Sequence, residues 1–384
     1  HTFICKEAQS FEELDLESWE TKVTDFHIHL EPGESRILFL RKDKMTEQEI
    51  DSQCQRRHMP VTVFELDKAQ VSFENNYLTV DQVQYSVDGK EFSDFYYCPG
   101  LFQKLLQERF AGSIYFRYTF EVREIPNQIS LWAECAKAEC CWLNEHMIQI
   151  AEQSELDPDI LCGKITSYVR KGRNTFKVKV NWHGCEEVYY ALFGENVTES
   201  LKNKLVYDCE LEPIYLCGNF GVYTEEPLEA AEDGTVRGKN FYVGQSPQKI
   251  TEPVREGFPF FRGKMSVRQT IRLTSKDTIL KIPGTWSLAD VTVNGQAAGR
   301  LLLTDHLDIS KYAKAGDNEI EITFTSSNRN LLGPHHNAKQ MLNVFVSPES
   351  FDLGDSWKDG KSVVYDERYN LLLLGVKNSE ERNE

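Results

Sequence analysis

Two adjacent histidines, His335 and His336, follow Gly333 and Pro334 in the segment RNLLGPHH, and imidazole is a common metal ligand. Neighbours on one extended loop need at least a third ligand from elsewhere. They read first as turn-stabilising residues, then as sugar or interdomain contacts, and last as metal ligands, so no metal site is assigned. Sugar recognition normally sets aromatic faces against pyranose C–H faces, with Asn, Asp, Arg and His bonding the hydroxyls around the rim. Trp286 in PGTWSL precedes a hairpin strand, and Arg329 and Asn330 lie beyond the strand pattern EITF. Trp286, Arg329, Asn330, His335 and His336 are therefore the candidate carbohydrate-binding residues, set against the plainer expectation that an aromatic in a β-sandwich is core or interface. Trp132, Trp142 and Trp182 fall inside strand patterns and are core candidates first. His183 and His306 are lone histidines in strand-like surroundings.

Glycoside hydrolysis needs two carboxyl groups about 5 to 10 Å apart across a sugar ring, usually at strand ends of a separate barrel. The chain holds 60 Asp and Glu, most of them where strands face water, and it lacks the strand–helix alternation of a (β/α)₈ barrel. Glu145, Glu152 and Asp157 read as solvated loop carboxylates, and the catalytic residues are unassigned. The ten cysteines show no CxxC pair and no Cys/His zinc spacing. Most lie in apolar strand patterns such as IYLCG and AECCWL, which favours buried free thiols over disulfides or metal sites and suits a reducing cytoplasm. Asn196-Val-Thr198 matches a glycosylation sequon and is read as chance.

ADVTVNG alternates apolar and polar side chains into Asn294-Gly295, a signal for a two-residue hairpin with both central residues at positive φ. Gly299 is expected to end the returning arm. LDISKYAKAGDNEIEITF then supplies a polar cap, a short helical turn, a Gly-Asp-Asn loop and a strand with Ile320, Ile322 and Phe324 on one side. An internal repeat at a separation of roughly 150 residues accompanies it. SIYFRYTFEV, ISLWAECAKAECCWLNEHMI and DPDILCGKITSYVRKGRNTFKVKV align in order with MSVRQTIRL, TILKIPGTWSLADVTVNGQAA and DHLDISKYAKAGDNEIEITF. Asn144 thereby matches Asn294, Gly172 matches Gly316 and Asn174 matches Asn318. Glu145 stands where the second copy has Gly295, which puts the same turn type in doubt there.

The order VNG, G, LDIS, AGDNEIEI resembles the galactose-binding-like jelly roll, a sugar-binding domain that accompanies bacterial glycoside hydrolases related to the β-galactosidase/β-glucuronidase family. RNLLGPHH and GFPFFRG, from Gly257 to Gly263, resemble the same accessory domain. The resemblance covers about the last half of the chain and weakens toward the N-terminus. It implies an all-β chain of tandem jelly-roll β-sandwiches preceded by the end of another β-domain. The expected division is 1–62 as that preceding end plus linker, 63–200 as the first sandwich and 201–384 as the second. VTDFHIHLEPGESRILFL, from Val23 to Leu40, reads as the closing hairpin of the preceding domain, and residues 41–57 as a loop or short helix. LVYDCELEPIYLCGNFGVY is expected to start the second sandwich and RYNLLLLGV to close it.

The function implied is a non-catalytic accessory region that supports a catalytic domain of the same polypeptide and binds carbohydrate. The alternatives are that the chain itself is a glycosidase with a carboxylate pair, or a pure interdomain scaffold. No cofactor is assigned; jelly-roll modules of this kind often hold a structural calcium ion, but no EF-hand-like spacing occurs here. A net charge of −17 argues against nucleic acid, whose affinity comes largely from Lys and Arg. No apolar run is long enough to span a bilayer, and HTFICKEAQSFEEL lacks signal-peptide regions, so a cytoplasmic protein cut from a longer polypeptide is expected.

Overall fold

The computed structural model describes residues 4–7, 13–15, 38–41, 59–336 apart from 67–68, 136, 203, 232–233, 248–249, 251 and 303, and 367–376. The architecture is all-β. Ile4–Glu7, Glu13–Asp15 and Leu38–Arg41 make a three-stranded antiparallel sheet; the rest of the expected Val23–Leu40 hairpin and the 41–57 loop or helix lie outside the described residues, Arg41 excepted. No helix among the described residues is long and apolar enough to cross a membrane.

The centre of each repeat is a pair of eleven-residue antiparallel strands. Gly112–Val122 pairs along its whole length with Gly172–Trp182, and Gly263–Leu273 does the same with Gly316–Ser326. Period-two alternation makes these strands two-faced. Ile114, Phe116, Tyr118, Phe120 and Val122 are buried, while Ser113, Tyr115, Arg117, Thr119 and Glu121 point the other way. Ile320, Ile322 and Phe324 line one side of Gly316–Ser326 as expected. Beside each long pair runs a hairpin in matching position, Ala138–Leu143 with His146–Ile148 and Leu288–Val293 with Gln296–Leu301.

The matched asparagines explain why the copies share a shape. Asn144 and Asn294 occupy positive φ, 54° and 50°. Asn144 Nδ2 donates to the Tyr168 carbonyl (2.9 Å) and to Asn174 Oδ1 (3.1 Å), and its Oδ1 accepts from the Thr175 N–H at 3.1 Å. Asn294 Nδ2 donates to the Tyr312 carbonyl (3.0 Å) and to Asn318 Oδ1 (2.9 Å), and its Oδ1 accepts from the Glu319 N–H at 3.1 Å. Asn174 and Asn318, both buried, close the loops before their strands by donating to Arg170 and Gly172, and to Lys314 and Gly316. The second hairpin has Gly295 at φ 77°; Glu145 is not among the positive-φ residues, so the turn types differ as the missing glycine implied.

Strand pairing crosses the division expected at residue 200. Ile214–Gly218 joins Ile129–Glu134 and Asn76–Val80, and Gly221–Tyr223 pairs with Tyr242–Gly244, which lies parallel to Gly112–Val122. The LVYDCELEPIYLCGNFGVY stretch therefore completes the first sandwich and does not open the second. Conversely, Val61–Val63 pairs parallel with Ile279–Lys281, and Gln70–Phe73 pairs with Gly263–Leu273. Phe64 and Leu66 are buried in the same core as Val291, Ile320 and Ile322. Tyr369–Leu372 pairs with Thr235–Gly238, and Tyr369 and Leu371 enter the first core; Gly375–Val376 reaches Gly284–Thr285 of the second sandwich. Gly299 does not end the returning arm, which continues to Leu301. It sits at a register shift where a Cβ would come within 2.8 Å of Leu307.

Trp132 and Trp182 are buried in the first core, and Trp142 is half-buried with Lys177 over its ring. The eight described cysteines are free thiols, five of them buried.

Candidate functional site

Four of the five candidate residues gather in one place, and it is an interior. Asn330, His335 and His336 are 2%, 3% and 0% exposed. The short helical turn Arg329–Leu332 leads into Gly333 and His336, both at positive φ, which folds the segment back onto the first sandwich. Thr79 Oγ1 donates to the Leu331 carbonyl at 2.7 Å, and Asn330 exchanges two hydrogen bonds with the main chain of Leu372, at 2.9 and 2.8 Å. Arg329 Nη1 reaches the Asn370 carbonyl at 3.4 Å. His336 Nε2 lies 3.0 Å from Asp81 Oδ2, and the Tyr369 hydroxyl donates to Asp81 Oδ1. Tyr97 packs edge-on against the His336 ring. These residues form a buried clasp between the end of the second repeat and the Asn76–Asp81 region of the first sandwich.

Burial alone would raise the Asp81 carboxyl, but the imidazoles of His336 and His335 and the Tyr369 hydroxyl outweigh it and hold it below the usual range. Burial pushes His335 down to about 4, against the pull of Asp81 and with help from His336 and Arg329. Trp286 lies apart from this group, half-buried against Phe324 with ring centroids 5.4 Å apart. The cavity beside it, of about 20 Å³, has room for a single water. Among the described residues, no group of three or more His, Cys, Asp or Glu side chains could hold a metal ion.

An open cleft of about 370 Å³ lies elsewhere, at the first sandwich, lined by outward-facing Thr119, Glu121 and Arg173 and also by Leu78, Val80, Phe120 and Tyr369 of its core, and the candidate set did not include it. Its base is a row across three neighbouring strands, formed by Arg173, Glu121 and Tyr242, with Tyr223 continuing the row beyond the lining. Arg173 is the register partner of Glu121, Glu121 of Tyr242, and Tyr242 of Tyr223. Register partners project from the same face of a sheet. Arg173, Glu121 and Tyr242 all line the cleft; Phe95 and Phe241 add aromatic surface, and Gln82, Thr119, Glu225 and Asn240 add polar groups. Phe95 is 39% exposed, so its ring is accessible from solvent.

Two of the cleft's charges are committed to each other. Arg123 forms an ion pair with Glu225, and its guanidinium stacks 3.7 Å from the centroid of Tyr242. Arg173 and Glu121 form no ion pair with each other or with any other described residue. The carboxyl that burial pushes furthest is Glu134, raised to about 8 with added repulsion from Glu210, Glu212, Asp159 and Asp157. It does not line the cleft.

The cleft combines aromatic faces with charged and amide groups that donate and accept hydrogen bonds, the pattern that serves polyhydroxylated ligands. It is within the usual range for small-molecule sites, about 300 to 1,000 Å³. Its residues come from segments between Leu78 and Tyr369, and no local motif joins them, which is why sequence reasoning missed them. The one signal available was the alternation of Gly112–Val122, which puts Thr119 and Glu121 outward.

Comparison of the sequence with protein-family models and with curated proteins gives no match. Solved structures that resemble the chain include a β-D-mannosidase from Dictyoglomus thermophilum, at 13% identity over 66% of this chain and 31% of that one, with a TM-score of 0.25. A putative β-galactosidase from Bacteroides fragilis aligns at 13% identity over 68% and 36%, with a TM-score of 0.26. A Ruminococcus gnavus β-glucuronidase in complex with uronic isofagomine aligns at 11% identity over 70% and 40%, with a TM-score of 0.28. The chain spans less than half the length of each of these proteins, and superpositions this loose transfer no residue role.

Proposed function

We propose that this chain is a carbohydrate-binding accessory region of a glycoside hydrolase, acting beside a catalytic domain of the same polypeptide. The observation that carries the reading is the row Arg173–Glu121–Tyr242 under an open cleft with Phe95 and Phe241 at its sides. Phe95 and Phe241 offer faces to pyranose C–H groups beside Tyr242, one face of which Arg123 covers, Glu121 and Asn240 accept from hydroxyls, and Arg173, Asn240 and Gln82 donate to them. The tandem repeat and the sequence resemblance of the VNG to AGDNEIEI segment support the link to glycoside hydrolases. In this reading the Arg329–His336 segment holds the two sandwiches together and Trp286 packs against the second core; neither contacts sugar.

Hydrolysis by the chain itself has one observation in its favour, the presence of both Glu121 and Glu225 in the cleft. Against it, Glu225 is held in an ion pair by Arg123. The test is a glycan array probed with the full chain, beside release of p-nitrophenol from a panel of aryl glycosides. Binding without turnover, lost in Tyr242→Ala, is expected. Turnover that persists through repurification and disappears in Glu121→Gln would replace the accessory reading with the hydrolytic one.

A further inference from the structure

The charges in the cleft are arranged so that one ligand class suits them better than its close analogues. Arg123 is ion-paired with Glu225 and covered by Tyr242, with Glu121 near enough to add to the field on it, which leaves Arg173 and Glu121 as the charged groups of the cleft without an ion-pair partner among the described residues. They sit opposite each other in the antiparallel pair, where Cβ atoms are about 5 Å apart. Nothing in the described structure joins the two, so each keeps its hydrogen-bonding capacity: the guanidinium only donates and the carboxylate only accepts.

We propose that Glu121 and Arg173 are a specificity-determining pair that selects a neutral saccharide and rejects the matching uronic acid. The inference rests on the carbohydrate-binding reading above. Adjacent hydroxyls of a neutral sugar satisfy both groups at once, one donating to Glu121 and its neighbour accepting from Arg173. A uronate carboxylate that approaches Arg173 brings its negative charge beside Glu121, and the like-charge contact offsets what Arg173 contributes. The net charge of −17 adds a general field against anionic ligands.

The experiment is a calorimetric titration of the full chain with matched pairs, methyl β-D-galactoside against methyl β-D-galacturonide and methyl β-D-glucoside against methyl β-D-glucuronide, in 0.15 M salt. The neutral member of the preferred pair is expected to bind at least about 10-fold more tightly, roughly 1.4 kcal/mol. Glu121→Gln is expected to close that gap by strengthening uronide binding, and Arg173→Gln to weaken the neutral sugar. Equal or tighter uronide binding by the unmodified chain overturns the selectivity while leaving the carbohydrate site intact. Binding of neither member overturns both, and the comparison needs no variant to fold.

Discussion

His336 and Asp81 are 255 residues apart in the chain, and their side chains meet at 3.0 Å with no solvent around them. The pair ends a segment that leaves the second sandwich at Ser326 and is anchored to the first through Thr79, Asp81 and Tyr97. Tyr369 links it to the cleft, since its hydroxyl is held by Asp81 while the residue itself lines the cleft.

Removing one partner of such a pair leaves the other buried without compensation. Asp81→Ala strips acceptors from both His336 and Tyr369 and is expected to cost about 3–5 kcal/mol. Urea denaturation followed by tryptophan fluorescence measures it. An Asp81→Ala, His336→Ala double variant is expected to lose less than the sum of the single losses, because the two side chains share one interaction.

Acid is expected to loosen the clasp. His335 is held near pKa 4 when folded, against about 6.5 in an unfolded chain. Between those values the unfolded state binds a proton that the folded state does not, so stability falls as pH drops from 6.5 toward 4, by at most about 3 kcal/mol. Asp81, with its folded pKa depressed, adds a further loss below about 4, in the same direction. This contribution is read as the difference between the pH dependence of thermal melts of the unmodified chain and of His335→Phe from pH 7 to 4, the unmodified chain losing more stability toward acid than the variant does.

Glu134 acts in the opposite sense. Its folded pKa of about 8 lies above its unfolded value, so the folded state holds the extra proton and stability declines as pH rises from about 4.5 to 8. Glu134→Gln keeps the neutral form and is expected to shrink that decline, while Glu212, raised to about 7, retains a part of it, measured as the pH dependence of the urea midpoint.

The asparagine pairs give a prediction that the repeat itself can check. Asn174→Ala and Asn318→Ala each remove the same bridge among hairpin, loop and long strand. At about 1 kcal/mol per hydrogen bond, plus the cost of main-chain groups left without partners, each should lose roughly 2–4 kcal/mol. Unequal losses by more than about 2 kcal/mol would show that the bridges do not play equivalent parts.

What the sequence made legible is local. Asn294-Gly295 encodes its turn, alternation marks the buried side of Gly316–Ser326, and the matched Asn and Gly positions expose the repeat, because each depends on residues close together in the chain. Long-range pairing is what it hid. Gln70–Phe73 reads as a strand but says nothing of its partner Gly263–Leu273. Ile214–Gly218 looks like a beginning and is a sheet interior between Ile129–Glu134 and Asn76–Val80. Arg329, Asn330, His335 and His336 have the chemistry of a sugar site, and only the fold shows that three of them are buried and that Arg329 is turned onto the Asn370 main chain. The cleft row needs one antiparallel and one parallel pairing before Arg173, Glu121 and Tyr242 become neighbours.

Whether the cleft over Tyr242 binds saccharide is decided by saturation-transfer NMR of methyl glycosides with the full chain and its Tyr242→Ala variant. Saturation is expected to concentrate on the C–H protons of one sugar face and to be abolished or cut several-fold in the variant while the protein stays folded. Saturation that is unchanged in Tyr242→Ala but lost in Trp286→Ala, or no saturation from any glycoside, would contradict it.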